Sequence, residues 1–144
     1  MAPAEVAPVE RRACSITGIS TDPDWGLVPS HGLYEFKTDR DRVVRLHNSD
    51  LTDLTWQPGD PAKLTMRFRW DLEWIPDGQE DEPVTVFEFT GVTIKTWTDS
   101  SLPEAQTFGQ VSDFHWNFGN QFDLDMYDVS LTFQALSLHV RTEA

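Results

Sequence analysis

The chain has 144 residues and carries 11 Lys/Arg against 24 Asp/Glu, a formal net charge of −13; this is the length of one domain, and its acidity excludes ordinary binding to nucleic-acid phosphates. A hydrophobic content of 39%, with six Trp and nine Phe, excludes a disordered chain, and the lone Cys14 excludes an internal disulfide or a Cys-based zinc site. No run approaches the ~18 apolar residues of a membrane span, and MAPAEVAPVERR at the start has neither the basic nor the apolar region of a secretory leader, so a cytoplasmic setting is expected.

Residues 1–12 are rich in Pro, Ala and Glu and read as a frayed or disordered tail. Residues 13–144 read as a single β domain, because apolar residues recur with a period of two almost throughout. Cys14 to Ile19, Leu33 to Phe36 and Arg42 to His47 are short candidate strands. His47-Asn48-Ser49-Asp50 then precedes a strand from Leu51 to Trp56, which ends at QPGDPAK, a Pro/Gly loop.

The clearest strand is LTMRFRWDLEW, residues 64–74. Leu64, Met66, Phe68, Trp70, Leu72 and Trp74 fall on one face, and Thr65, Arg67, Arg69, Asp71 and Glu73 on the other. At about 3.3 Å per residue it would run roughly 35 Å, with Trp70 and Trp74 in the core. Arg67 and Arg69 would pair with carboxylates on neighbouring strands.

IPDGQEDEP, residues 75–83, is an acidic loop. In VTVFEFTGVTIKTW, residues 84–97, the apolar parity changes at Gly91, which predicts a bulge or sharp bend. DSSLPEAQ, residues 99–106, is a loop or one short helical turn. Phe114, Trp116 and Phe118 alternate up to Gly119-Asn120, a hairpin signal, and Phe122, Leu124 and Met126 return. Val129, Leu131 and Phe133 lead to a second parity change at Gln134-Ala135, read as a bulge within one long final strand. The whole predicts an all-β, single-domain antiparallel β-sandwich or flattened barrel of about eight to ten strands.

Charge is unevenly placed. Residues 1–70 hold nine Lys/Arg and ten Asp/Glu, whereas residues 71–144 hold only Lys95 and Arg141 against 14 Asp/Glu. Such a surface steers a basic partner. Glu80, Asp81 and Glu82, with Asp99, Glu104 and Asp113, are the candidate patch, and Trp97 the candidate anchor. Trp25 and Trp97, near loops, would also suit a carbohydrate platform.

Catalytic and metal chemistry are weakly represented. His47, Ser49 and Asp50 are too close along an extended chain to form a triad, whose members come from distant segments; a distant His115 or His139 would be needed to complete a site with Asp50. Asn48, Ser49 and Asp50 fit a turn between two strands. Asp123, Asp125 and Asp128 form D-x-D-x-x-D without the Gly and distal Glu of a calcium loop. No cofactor motif appears, so none is expected.

Three segments carry a family resemblance. RLHNSDLTDLTW followed by KLTMRFRWDL resembles an H-[DN]-[AS] opening into an apolar strand. VTVFEFTGVTIKTW is similar to a central V-x-L-x-F-x-x-V-x-x-L strand, and FDLDMYDVSLTFQALSLHV resembles a closing F-x-[AC]-x-x-[LIV]-x-V strand. Together, over residues 43–141, they resemble the small all-β immunity proteins of bacterial polymorphic toxin systems, in particular the immunity protein 50 group. Asn48 stands where that group usually has Asp, and the N-terminal segment has no counterpart. The resemblance implies a non-enzymatic cytoplasmic inhibitor of a basic toxin such as a nuclease, with His47, Asn48 and Asp50 marking the family turn. A carbohydrate- or small-ligand-binding module and a structural subunit of a phage or secretion assembly are the alternatives; monomer and dimer stay equally open.

Overall fold

The computed structural model describes residues 14–22, 33, 35–99, 110–117, 119–126 and 129–144. The predicted tail, Trp25, the loop after Asp99 with Glu104, and Asp128 lie outside them. Eleven strands are described: β1 (Ser15–Thr17), β2 (Glu35–Lys37), β3 (Val43–Arg45), β4 (Ser49–Gln57), β5 (Lys63–Trp70), β6 (Val84–Thr90), β7 (Thr93–Asp99), β8 (Val111–Trp116), β9 (Gln121–Met126), β10 (Val129–Gln134) and β11 (Ser137–Glu143). They form a five-stranded sheet ordered β1-β11-β6-β5-β4, a four-stranded sheet ordered β7-β10-β9-β8, and the β2–β3 pair.

The protein is all-β and sandwich-like, and its sheets do not close into a barrel. Period-two alternation sends one face of each large sheet inward, and aromatic rings from both meet there. Phe89 of β6 lies 5.0 Å from Phe122 of β9 and 4.8 Å from Phe133 of β10, both edge to face, while Phe87 stacks 5.7 Å from Phe114 of β8. Fully burying each ring contributes about 1.5–3 kcal/mol, and a well-set aromatic pair roughly 0.5–1.5 kcal/mol more. Phe36, Val44 and Leu46 join the same core from the small pair and the turn after it.

Both parity changes mark crossings between sheets. At Gly91 (φ +70) the chain leaves β6 of the five-stranded sheet and enters β7 of the four-stranded one. The change at Gln134-Ala135 is the return crossing, from β10 to β11, so the expected bulge within one final strand is corrected to a break between two. Opposite faces of a strand exchange roles when the core lies on its other side, which is why parity inverts at each crossing. Register shifts occur elsewhere, at Leu51/Asp53, Val111/Asp113 and Thr132/Phe133.

Two further expectations change. Pairing is not wholly antiparallel, because β1 runs parallel to β11. The chain approaches closely there: Gly18 (φ +87) is buried so tightly against Val140 that a side chain would meet that residue's backbone oxygen. The strand expected over residues 64–74 stops at Trp70, which is buried, whereas Leu72 and Trp74 are exposed. Asp71 ends the strand: its backbone N–H donates to Asn48 O, its Oδ1 accepts from the Glu73 N–H, and its carbonyl accepts from the Trp74 N–H. The side-chain oxygen of an Asp competes well for local backbone donors, and a turn results.

Candidate functional site

His47, Asn48, Ser49 and Asp50 straddle a 3-10 turn, Leu46–Asn48, between β3 and β4. Leu46 anchors it in the core while His47 is exposed. Ser49 is buried, and its hydroxyl donates to Arg45 O at 3.1 Å. The carbonyl of Asn48 accepts from Asp71, and Asp50 lies across from Arg69 and bridges Gln110. The quartet therefore links three segments. His139 sits on β11 with Nδ1 2.8 Å from Thr17 Oγ1, and His115 lies across from Asp123 in the other sheet, so neither is in strand register with Asp50.

The acidic loop joins β5 to β6, and the β2–β3 turn engages part of it. Arg40 Nη1 lies 3.2 Å from Glu82, and Arg42 reaches both Asp81 and Glu82 at 3.2 Å. The Glu82 side chain is only 17% exposed, and its Oε1 accepts no aligned hydrogen bond despite the nearby guanidinium. Glu80 Oε2 accepts from the Gly78 N–H. Arg42 also donates to Gly78 O. Gln79 is buried, accepts from the Val43 N–H at 2.8 Å and donates to Val43 O at 3.1 Å. Val43 thus has both backbone groups satisfied by one carboxamide, as a neighbouring strand would satisfy them.

The remaining candidates sit on the four-stranded sheet, Asp99 at the end of edge strand β7 and Asp113 on the opposite edge strand β8. They do not form one continuous cluster along either strand with the 80–82 loop, which belongs to the five-stranded sheet. Trp97, the expected anchor, is half-buried and packs against the core. Sequence reasoning missed Trp74 and Leu72, the two large hydrophobic side chains exposed among the described residues, at 60% and 71%. The turn signal Pro76-Asp77-Gly78 close behind them was the available clue.

The outer faces of the two sheets differ in charge. On the five-stranded sheet, Arg67 donates to Glu143 at 3.1 Å across the intervening Val86, and Arg141 pairs with Glu88 and Glu143. Val86 is fully buried although it points away from the core, covered by these long side chains. On the four-stranded sheet, Asp113 stands directly opposite Asp125, and His115 opposite Asp123. Asp123 accepts from Thr132 Oγ1 at 2.8 Å. Among the described residues no group of three or more His, Cys, Asp or Glu is arranged to hold a metal.

Two clefts remain. One of about 230 Å³ is lined by Thr38, Asp39, Arg40, His139, Arg141 and Thr142. The other, about 220 Å³, is lined by Cys14, Ile16, Ile19 and Trp116. Burial pushes the Cys14 thiol up to about 12, which keeps it protonated and a poor nucleophile at neutral pH. No described helix is long and apolar enough to cross a membrane. No family model, curated protein or solved structure matches this chain.

Proposed function

We propose that this chain is a non-enzymatic binding protein, an inhibitor of immunity type that neutralises a basic toxin through its acidic surface in the cytoplasm. One observation carries the reading. Of the nine described Lys and Arg, Lys37, Arg40, Arg42, Arg45, Arg67 and Arg141 are engaged in ion pairs within the protein, whereas Lys63, Lys95 and Arg69, which was expected to pair across strands, are not. Among the described residues, Asp71, Glu73, Asp77, Glu80, Asp113 and Asp125 have no cation within ion-pairing distance.

Like charges directly opposite one another, as at Asp113 and Asp125, cost a sheet some stability. A partner bearing Lys and Arg relieves that cost. Complementary potential also speeds encounter and rejects acidic competitors. The acidic excess of residues 71–144, fourteen Asp/Glu against Lys95 and Arg141, thereby acts as a steering field, while specific anchors supply affinity.

The test is purification of the complex from the source cells, together with co-expression of the neighbouring reading frames. Recovery of a protein of basic isoelectric point, and protection of cells expressing it, is the expected result. Recovery of no basic partner, with no protection from any neighbouring product, contradicts the proposal.

A further inference from the structure

We propose that the turn bearing Leu72 and Trp74 is the anchor by which this chain docks onto its partner, and that the partner offers an apolar pocket ringed by Lys and Arg. The inference rests on the binding reading above and locates its contact surface.

Exposure comes first. Leu72 and Trp74, two residues apart on one turn, are 71% and 60% exposed, and they are the large hydrophobic side chains exposed among the described residues. Trp is the residue most enriched at energetic hot spots, where it fills a desolvated pocket inside a polar rim. Here the rim is on the same segment. Residues 71–82 contain six carboxylates and no Lys or Arg, and Asp71, Glu73, Asp77 and Glu80 have no described cation within ion-pairing distance.

Preorganisation comes second. Glu73 and Trp74 are set by their hydrogen bonds to Asp71, and Asp71 by its bond to Asn48. Further along, Gln79 N–H donates to Pro76 O and Glu82 N–H to Gln79 O, while the Gln79 carboxamide and Arg42 tie the loop to β3 and its preceding turn. A fixed loop loses little freedom on binding, so more of the contact energy appears as affinity.

Charge selects the occupant. A second copy of this chain docking symmetrically through this turn would set carboxylates against carboxylates. An anionic lipid surface is repelled for the same reason. A basic protein surface satisfies both the ring and the carboxylates.

The experiment places the photo-crosslinking residue p-benzoylphenylalanine at exposed position 77, on the same loop as the anchor, and separately at 98 and 115 on the four-stranded sheet, in the source cells. The protein captured is then purified and titrated against wild type, Trp74→Ala and Leu72→Ser, with urea midpoints measured to confirm folding. Capture of a basic protein from position 77, with affinity weakened roughly thirtyfold or more by Trp74→Ala, is expected. Capture of a basic protein only from 98 or 115, or unchanged affinity in both variants, overturns the anchor while leaving the binding reading intact. Capture of no basic protein from any position overturns both, as does saturable quenching of Trp74 by soluble glycans in place of a protein partner.

Discussion

Gln79→Ala removes the one side chain that stands in for a neighbouring strand along β3. In the native protein its carboxamide accepts from the Val43 N–H at 2.8 Å and donates to Val43 O at 3.1 Å. Each such bond contributes about 1 kcal/mol net, and a freed backbone group that water reaches poorly costs more. Val43 is half-buried, so water reaches it in part, and the expected loss is about 2–3 kcal/mol. For a protein whose total stability is of the order of 5–15 kcal/mol, that is a substantial fraction. Equilibrium urea unfolding should show the midpoint falling by roughly 1 M at an unchanged slope. Amide hydrogen exchange supplies the local readout: the Val43 N–H should lose its protection in the variant while the amides of β6 and β10 keep theirs relative to global stability. Gln79→Glu keeps the acceptor but sets a carboxylate against Val43 O. It should therefore be at least as damaging at neutral pH and recover in part on acidification, when a protonated carboxyl can donate. A loss below about 0.5 kcal/mol with Val43 still protected would refute the reasoning, because the loop would then be held by something other than Gln79.

Two other outcomes test the core. Phe89→Ala removes a ring that meets Phe122 and Phe133 across the sandwich and should cost about 3–5 kcal/mol by calorimetry; a loss under about 1.5 kcal/mol would mean the sheets do not share this core. Cys14 has its pKa raised by burial from 9.0 to about 12, so its ionisation favours the unfolded chain. Its contribution to stability is complete below pH 9 and is lost as pH rises from 9.0 toward 12. Alkylation by iodoacetamide at pH 8 should be far slower for the native protein than for the chain in urea, and equal rates would contradict the burial.

The all-β class was legible because alternation is a direct record of one buried face. Phe87 and Phe89, or Phe122 and Leu124, declare their strands without help from anything distant. The parity change at Gly91 was also legible as an event. Its nature was not, since a bulge, a bend and a crossing between sheets all invert the pattern locally, and only the partners of β7 and β10 distinguish them. Leu72 and Trp74 show the opposite failure. They continue an alternation that the chain abandons at Asp71, where a side-chain oxygen and Asn48 of another segment end the strand. Periodicity counted them as core, although their exposure makes them the more informative residues. The acidic loop was visible as sequence, but the pairing of Asp81 and Glu82 with Arg40 and Arg42 joins segments some forty residues apart, which no local pattern encodes. The parallel pairing of β1 with β11 is non-local in the same sense.

The central claim is that an acidic surface guides this protein onto a basic partner. The most direct measurement is the association rate with the co-purified partner, by stopped flow, as ionic strength is raised from about 0.01 M to 1 M, over which the screening length falls from about 30 Å to 3 Å. The account predicts a rate that falls steeply, by tenfold or more, with a dissociation rate that changes much less. An association rate flat across that range would contradict it.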